Sequence, residues 1–211
     1  MTAPAGEEAP GGAGPAGAEG EEWERRLAAA GALLRGHYLL SSGRHSPAYV
    51  QCAKLLEDPR EARAAGAAVA AKLAPYRPQS VLSPALGALL IGHETAAALG
   101  VPFRFAERAG AALALRRGFA LAPGERVAVV EDAVTTGRST LETAELARAA
   151  GAEVVAIGAI VDRSGGARPF GEVPFESLLA LELPSWEATE CPLCRDPAAG
   201  PAVKPGSRPG R

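Results

Sequence analysis

Short apolar runs alternate with amphipathic segments through the middle of the chain. Each run has the length and character of a buried strand, and each amphipathic segment shows the period of a helix. The predicted strands are residues 80–83, 101–106, 127–130 and 154–161, and the predicted helices are residues 58–74, 87–99 and 138–150. Strands and helices that alternate at this spacing predict right-handed crossovers and a mostly parallel sheet with helices on both faces. The predicted fold class is therefore α/β.

The ends of these helices carry recognisable signals. Asp58 and Pro59 place a capping carboxylate before a proline at the first helical position. Gly100 and Gly151 follow the last residues of the other two helices, where a left-handed residue commonly ends a helix. These signals support the helices independently of the apolar period.

The chain before the first of these helices has a different pattern. Residues 1–20 are almost wholly Ala, Gly, Pro and Glu, and we expect disorder because they carry too little apolar surface to offset the entropy of ordering. Residues 21–35 have helical periodicity, which Gly36 would stop. Two extended pieces at residues 37–40 and 47–53 flank a Ser-Ser-Gly turn and predict a hairpin.

Length and composition at the far end complete the domain assignment. Beyond residue 184 the chain is rich in Pro, Gly and charged residues, so we expect a loose tail over residues 185–211. A chain of 211 residues suffices for one well-packed domain. We place that domain at residues 21–184, with a small N-terminal part at residues 21–56.

Overall composition excludes several functional classes. Hydrophobic residues make up 47% and charged residues 22% of the chain, and the formal net charge of -2 provides no field that would attract nucleic acid. No apolar run approaches the roughly 20 residues that a membrane-spanning helix needs, and the N-terminus lacks the pattern of a secretory signal. We expect a cytoplasmic protein that binds neither nucleic acid nor a membrane.

The three cysteines cannot form a disulfide framework, so the sequence does not indicate an oxidising compartment. Cys191 and Cys194 have the spacing of half a zinc site. The remaining ligand candidates are Cys52, His37, His45 and His93. We favour no function for the cysteine pair, with a local disulfide as the next alternative, and we expect the histidines at structural or surface positions. No side chain is assigned as a direct metal ligand.

The segment of residues 126–140 carries the most informative chemistry: Arg-Val-Ala-Val-Val-Glu-Asp-Ala-Val-Thr-Thr-Gly-Arg-Ser-Thr. Its apolar residues predict a central strand, so Glu131 and Asp132 fall at the carboxyl end, where open α/β sheets bind their ligands. Two adjacent carboxylates there need cations or hydroxyl donors. Ribose hydroxyls are such donors, and magnesium commonly assists.

The following turn suits a phosphate. Thr135 to Ser139 offer hydroxyls, a flexible Gly137 and successive backbone amides at the start of a helix. A solvated strand end followed by a capped turn is the alternative, but the two halves in this order favour a sugar-phosphate site. The chain contains neither a Walker loop nor a G-x-G-x-x-G motif, the usual signatures of nucleoside triphosphate hydrolysis and dinucleotide binding.

The same block closely resembles the 5-phosphoribosyl diphosphate (PRPP) signature of type I phosphoribosyltransferases. Upstream, residues 36–50 resemble the N-terminal hood of orotate phosphoribosyltransferases, and residues 21–56 are called the hood below. Residues 83–87, Ser-Pro-Ala-Leu-Gly, resemble the diphosphate-binding turn of that family, and Asp162-Arg163 resembles its pair after a late strand. The resemblance covers residues 21–183.

The resemblance implies a type I phosphoribosyltransferase fold and transfer of the 5-phosphoribosyl group from PRPP to orotate. The products would be orotidine 5'-phosphate and diphosphate, as in de novo pyrimidine biosynthesis. Glu131 and Asp132 would be the catalytic pair on the ribose hydroxyls. The other implied PRPP contacts are Arg108, Ala133, Val134, Thr135, Thr136, Gly137, Arg138 and Ser139.

The implied contacts to orotate are Tyr49, Val50, Thr135 and Arg163. The guanidinium of Arg163 would pair with the orotate carboxylate, a planar match for two hydrogen bonds. A surface ion pair with Asp162 or another neighbour is the alternative for this arginine.

The chain also departs from the family pattern. Ser41 and Leu86 stand where family members often carry lysines. The mobile catalytic loop of the family, usually with Lys and His, should lie between residues 106 and 118. Here Arg108 fits the basic residue at the start of that loop, and Arg116 and Arg117 are candidates for contacting the leaving diphosphate.

The resemblance further implies Mg2+ as cofactor and a homodimer in which the loop reaches the partner's site. Two alternatives remain open from the sequence. One is a phosphoribosyltransferase that acts on a purine or another base. The other is a regulatory protein that binds PRPP without efficient catalysis, which the missing lysines make conceivable.

Overall fold

A six-stranded sheet lies at the centre of the fold, and a separate two-stranded hairpin lies in the hood. The computed structural model describes residues 17–40, 42–167 and 170–205. In chain order the elements are α1 (Ala18–Ala29), β1 (Leu33–Leu39), β2 (His45–Val50), α2 (Cys52–Leu56), α3 (Pro59–Leu73), β3 (Ser80–Pro84), α4 (Leu89–Leu99), β4 (Phe103–Ala109), β5 (Ala112–Leu115), β6 (Arg126–Val134), α5 (Arg138–Ala149), β7 (Glu153–Asp162) and β8 (Phe175–Ala180). Short 3-10 helices lie at Ala74–Tyr76, Pro192–Arg195 and Pro197–Ala199.

The strands of the central sheet lie in the order β5-β4-β3-β6-β7-β8. All neighbouring pairs are parallel except β4 and β5. From β3 the chain passes through α4 to β4 on one side, whereas from β6 it passes through α5 to β7 on the other side. The direction of winding therefore reverses between β3 and β6. In open α/β sheets, ligands bind beside the carboxyl ends of strands at such a point.

Helices cover both faces of this sheet, as the apolar pattern predicts. Ala128 and Val130 of β6 pack in a core shared with α1, α3, α4 and the hood, while Val127 and Val129 pack on the opposite side with residues of α5. This alternation follows from the two-residue period of a strand. Gly66 allows α3 to approach α4 closely, since a Cβ there would lie 2.4 Å from the Cβ of Glu94.

The hood differs from the predicted pattern at its first helix. Helix α1 ends at Ala29, and Gly31 then adopts a φ of +65, so Leu33 and Leu34 lie in β1 and not in a helix extending to residue 35. The predicted hairpin is present as antiparallel β1 and β2, but it begins earlier and its second strand ends at Val50. Residues 52–53, predicted as strand, start helix α2.

The end of the chain packs against the hood hairpin. The backbone N–H of His45 donates to Trp186 O at 2.8 Å, and the N–H of Trp186 donates back at 2.9 Å. On the other strand, the N–H of Val203 donates to His37 O at 2.8 Å and the N–H of Leu39 donates to Val203 O at 2.9 Å. Residues 185–205, predicted from composition to be loose, thus follow both edges of the hairpin.

Several predictions concern residues outside the described ranges. These residues are 1–16 of the predicted disordered tail 1–20, the position Ser41, and residues 206–211 of the predicted loose tail. Residues 17–20 are described, and they lead into and begin α1. Within the described ranges, no helix has both the length and the apolar character needed to cross a bilayer.

Candidate active site

Two adjacent carboxylates lie near the carboxyl end of β6, beside the start of α5. Glu131 is only 5% exposed, and its Oε2 accepts hydrogen bonds from Ser139 Oγ at 2.7 Å and Thr140 Oγ1 at 3.5 Å. Asp132 is half-buried, and its Oδ1 accepts from the N–H of Ala133 at 2.9 Å. The sequence predicts the pair directly after the strand. Strand β6 in fact continues to Val134 and pairs with β7 up to that residue, so the two carboxylates lie within its last residues.

Burial makes this pair electrostatically unfavourable as two free anions. Loss of solvent, together with the neighbouring Asp132, raises the pKa of Glu131 to about 8, although the Ser139 hydroxyl opposes the shift. Desolvation likewise raises the pKa of Asp132. A ligand that brings hydroxyl donors or a cation would relieve this charge, because both favour the ionised form.

A cleft of about 850 Å3 opens beside the carboxylates. Its lining is made almost entirely by the turn from β6 into α5, with a contribution from the β4–β5 connection. The lining residues are Arg108, Gly110, Ala111, Ala133, Val134, Thr135, Thr136, Gly137, Arg138, Ser139 and Thr140. Gly137 has a φ of +71 directly before α5, which lets the chain turn so that the helix starts at the cleft. The backbone amides of a helix start favour an anion.

The turn after β3 approaches the same carboxylates from the neighbouring strand. A Cβ on Gly87 would lie 3.1 Å from Oδ2 of Asp132, so glycine allows this close approach. Leu86 is 81% exposed in that turn. The reversal of strand order therefore brings together residues 83–87 and the acidic pair, as the ligand site of an open sheet requires.

Arg163 lies at the end of β7, next to the hood. Desolvation lowers its pKa, and the nearby Tyr49 and Cys52 oppose that shift. Among the described residues, the buried Nε of Arg163 has no hydrogen-bond partner. Asp162, the alternative partner, instead accepts a hydrogen bond from the N–H of Ser164 at 2.8 Å. The guanidinium therefore has capacity for an anionic ligand.

The basic residues predicted for a mobile loop lie on and after the β4–β5 hairpin. Arg108 borders the cleft, where it forms a 2.6 Å ion pair with Glu142 of α5. Arg117 makes paired 2.9 Å hydrogen bonds to Glu107, and Arg116 is exposed. The structure thus places Arg108 at the rim of the cleft, whereas Arg117 is bound by Glu107 of β4.

Comparison with known proteins identifies the family. No protein-family model matches the chain. The orotate phosphoribosyltransferase of Thermotoga maritima is 50% identical to it over 178 residues, which are 84% of this chain and 94% of that protein. The chain belongs to the orotate phosphoribosyltransferase family. This confirms the family and, with it, the predicted enzyme class of pentosyltransferase.

Solved structures of the family share the fold. The crystal structure of orotate phosphoribosyltransferase from Aeropyrum pernix matches with a TM-score of 0.63 at 29% identity, over 74% of this chain and 92% of that one. That of the Mycobacterium tuberculosis orotate phosphoribosyltransferase in complex with PRPP matches with a TM-score of 0.61 at 26% identity, over 76% and 96% of the two chains. The predicted type I phosphoribosyltransferase fold is therefore confirmed.

Some residues of the site could not be recognised from the sequence. Cys52 is buried beside the acidic pair, with its Sγ 3.6 Å from the backbone oxygen of Asp132. Burial, and to a lesser degree the charges of Asp132 and Glu131, raise the pKa of its thiol well above the usual value. Glu142 positions Arg108, and Thr140 contacts Glu131. The contacts of Cys52 and Glu142 join residues that are distant in sequence, and the Thr140 contact depends on how the turn folds, so residue order alone does not predict them.

Proposed function

We propose that the acidic pair, the β6–α5 turn and Arg163 are the residues with which this chain transfers the 5-phosphoribosyl group from PRPP to orotate. The observation that carries the assignment is the pair formed by buried Glu131 and half-buried Asp132, directly beside a cleft at a helix start. The activity itself follows from family membership: PRPP and orotate give orotidine 5'-phosphate and diphosphate in pyrimidine biosynthesis.

The sugar phosphate occupies the turn and the carboxylates together. Backbone amides and hydroxyls of residues 135–139 hold the 5-phosphate, and Arg108 adds positive charge at the rim of the cleft. The ribose hydroxyls donate to Asp132 and Glu131, whose pKa values are raised by desolvation and would be lowered again by such donors. Ala133 and Val134, at the end of β6, also line the cleft and contact the sugar phosphate.

The base lies between the hood and the end of β7. Arg163 binds the orotate carboxylate through its guanidinium, whose Nε has no partner in the described part of the chain. Tyr49 and Val50 present backbone to the ring, and Thr135 approaches it from the phosphate side. Orotate N1 then bonds to C1 of the ribose as the C1–O bond to diphosphate breaks, and the N1 proton is lost to solvent. The transition state carries positive charge on the sugar, which the adjacent carboxylates stabilise.

Mg2+ is the cofactor that fits this site. The structure offers one buried and one half-buried carboxylate, both with raised pKa values, and no cation of the described chain is paired with them. A magnesium–diphosphate complex would relieve this environment. Bound Mg2+ would supply neutralisation of the charge on the diphosphate leaving group. Arg116 and Arg117 would add charge from the hairpin, Arg117 after release from Glu107.

A homodimer and a cytoplasmic location complete the proposal. Both rest on resemblance to the family and on composition. Light scattering after gel filtration should give twice the 21.4 kDa mass of the chain.

A base panel tests the function. Purified protein with PRPP and Mg2+ should release diphosphate with orotate and not with adenine, guanine or uracil. Turnover with a purine and none with orotate would overturn the assignment of Arg163. Stabilisation by PRPP without diphosphate release for any base would instead favour a regulatory PRPP-binding protein.

A further inference from the structure

Four potential metal ligands converge where the end of the chain meets the hood hairpin. The ligand atoms of His37, His45, Cys191 and Cys194 all lie within 4.8 Å of one another. His37 belongs to β1 and His45 to β2, while Cys191 directly precedes the short helix at Pro192–Arg195 and Cys194 lies within it. We propose that these four side chains form a structural zinc site that fastens residues 185–205 to the hood.

Two of the nitrogen–sulfur distances match the edges of a tetrahedral site, and two other distances are shorter. With Zn–N of about 2.1 Å and Zn–S of about 2.3 Å, the edges of a tetrahedron are about 3.4 Å between nitrogens and about 3.6 Å between nitrogen and sulfur. His37 Nε2 lies 3.6 Å from Cys191 Sγ and 3.7 Å from Cys194 Sγ, and His45 Nδ1 lies 3.2 Å from Cys194 Sγ. The two nitrogens are 2.8 Å apart, a hydrogen-bond distance that must widen by about 0.6 Å around an ion.

The surroundings suit an uncharged site at the edge of the hood. His37 is 5% exposed, His45 is 8% exposed and Cys191 is fully buried, whereas Cys194 is exposed. Two thiolates and two neutral imidazoles balance the charge of Zn2+, so the loaded site buries no net charge. Four protein ligands leave no position for a water or substrate, which is typical of structural and not catalytic zinc.

An outer contact orients one of the imidazoles. His37 Nδ1 lies 2.9 Å from the carbonyl oxygen of Gly200. That carbonyl can only accept, so Nδ1 carries the proton and Nε2 is free to bind a metal. Histidine ligands of zinc commonly have such a carbonyl partner, which fixes the tautomer and the ring orientation.

The sequence offered a local disulfide as an alternative for the cysteine pair, and the structure favours the metal. Cys191 and Cys194 are both free thiols. A disulfide would use both sulfurs and leave the adjacent imidazoles without a role, whereas zinc engages all four side chains. The Cys-x-x-Cys spacing is that of a zinc half-site, and a hydrogen-bonded hairpin supplies the other half.

Metal analysis of the full-length protein tests the proposal. After purification under reducing conditions and dialysis against excess Mg2+, which occupies the carboxylate site, we expect about one zinc per chain. Reconstitution of metal-stripped protein with Co2+ should give the visible bands of a tetrahedral ion and thiolate charge-transfer bands. Protein that holds no zinc and takes up neither metal, or that shows a Cys191–Cys194 disulfide by peptide mapping, would overturn the proposal.

Variants locate the metal. Cys194→Ser and His45→Gln should each lower zinc content at least about tenfold, because one of four ligands is lost. Cys52→Ser and His93→Gln are matched controls outside the cluster and should retain the metal. Limited proteolysis gives a second readout, since chelation should speed cleavage within residues 185–205 in the wild type. Loss of zinc in a control, or its retention in both cluster variants, would place the metal elsewhere.

Discussion

Glu131 should make the stability of the ligand-free protein depend on pH. Its ordinary pKa of 4.5 is raised to about 8 in the folded protein, chiefly by desolvation. A carboxyl with a higher pKa in the folded state binds its proton more tightly there than in the unfolded chain. Its contribution to stability is therefore complete below pH 4.5 and is lost as the pH rises through about 8.

The size of the effect follows from the same shift. One proton changes the free energy of unfolding by at most about 1.4 kcal/mol per pH unit, so a shift of this width corresponds to a few kcal/mol. The raised pKa of Asp132 acts in the same direction. Glu131→Gln keeps an oxygen that can accept from Ser139 but cannot ionise. The variant should therefore gain stability over the wild type as the pH rises from 5 to 8.

Urea denaturation without divalent cations, repeated across that pH range, measures the difference. Glu142→Gln is the matched control, because hydrogen bonds from Arg138 and Arg108 lower the pKa of Glu142, which therefore titrates below the window. Its stability should run parallel to the wild type, and PRPP with Mg2+ should flatten the wild-type curve. If wild type and Glu131→Gln show the same pH dependence, the burial argument for the acidic pair is wrong.

Three substitutions test other parts of the account. Asp132→Asn should lower kcat roughly 100-fold or more while the circular dichroism spectrum stays that of the wild type; near-normal turnover would refute its role. Arg163→Lys should raise the KM for orotate about tenfold and leave that for PRPP unchanged, since lysine lacks the paired donors; an equal rise for both substrates would contradict this. Gly92→Ala should cost about 1–3 kcal/mol of stability, because its Cβ would lie 2.1 Å from Ser83 Oγ. Gly17→Ala, with nothing within 4 Å, is the control, and equal urea midpoints would refute that estimate.

The central α/β pattern was predictable because its signals are local. The predicted N-cap of α3 is present: the carboxylate of Asp58 accepts a hydrogen bond from the N–H of Arg60 at 2.9 Å. The end of α1 was not predictable from the sequence. Leu33 and Leu34 continue the apolar spacing of the helix, but they belong to a strand that pairs with β2. Strand β8 was missed as well, since Phe175–Ala180 is short and its parallel pairing with β7 depends on residues far away in the chain.

The residues of the candidate site also fall into a part that was predictable from the sequence and a part that was not. Residues 131–139 form one continuous motif whose chemistry can be read from residue types and order. The approach of Gly87 to Asp132, the burial of Cys52 and the meeting of His37 with Cys191 all depend on the tertiary fold. For the cysteine pair, the sequence offered no means of knowing that His37 and His45, and not His93, would lie next to it.

A crystal structure with PRPP bound tests the central claim most directly. The account predicts the 5-phosphate at about 3 Å from the backbone amides of residues 135–139, with ribose hydroxyls donating to the carboxylates of Glu131 and Asp132. PRPP bound elsewhere, with this turn and the acidic pair left untouched, would contradict it.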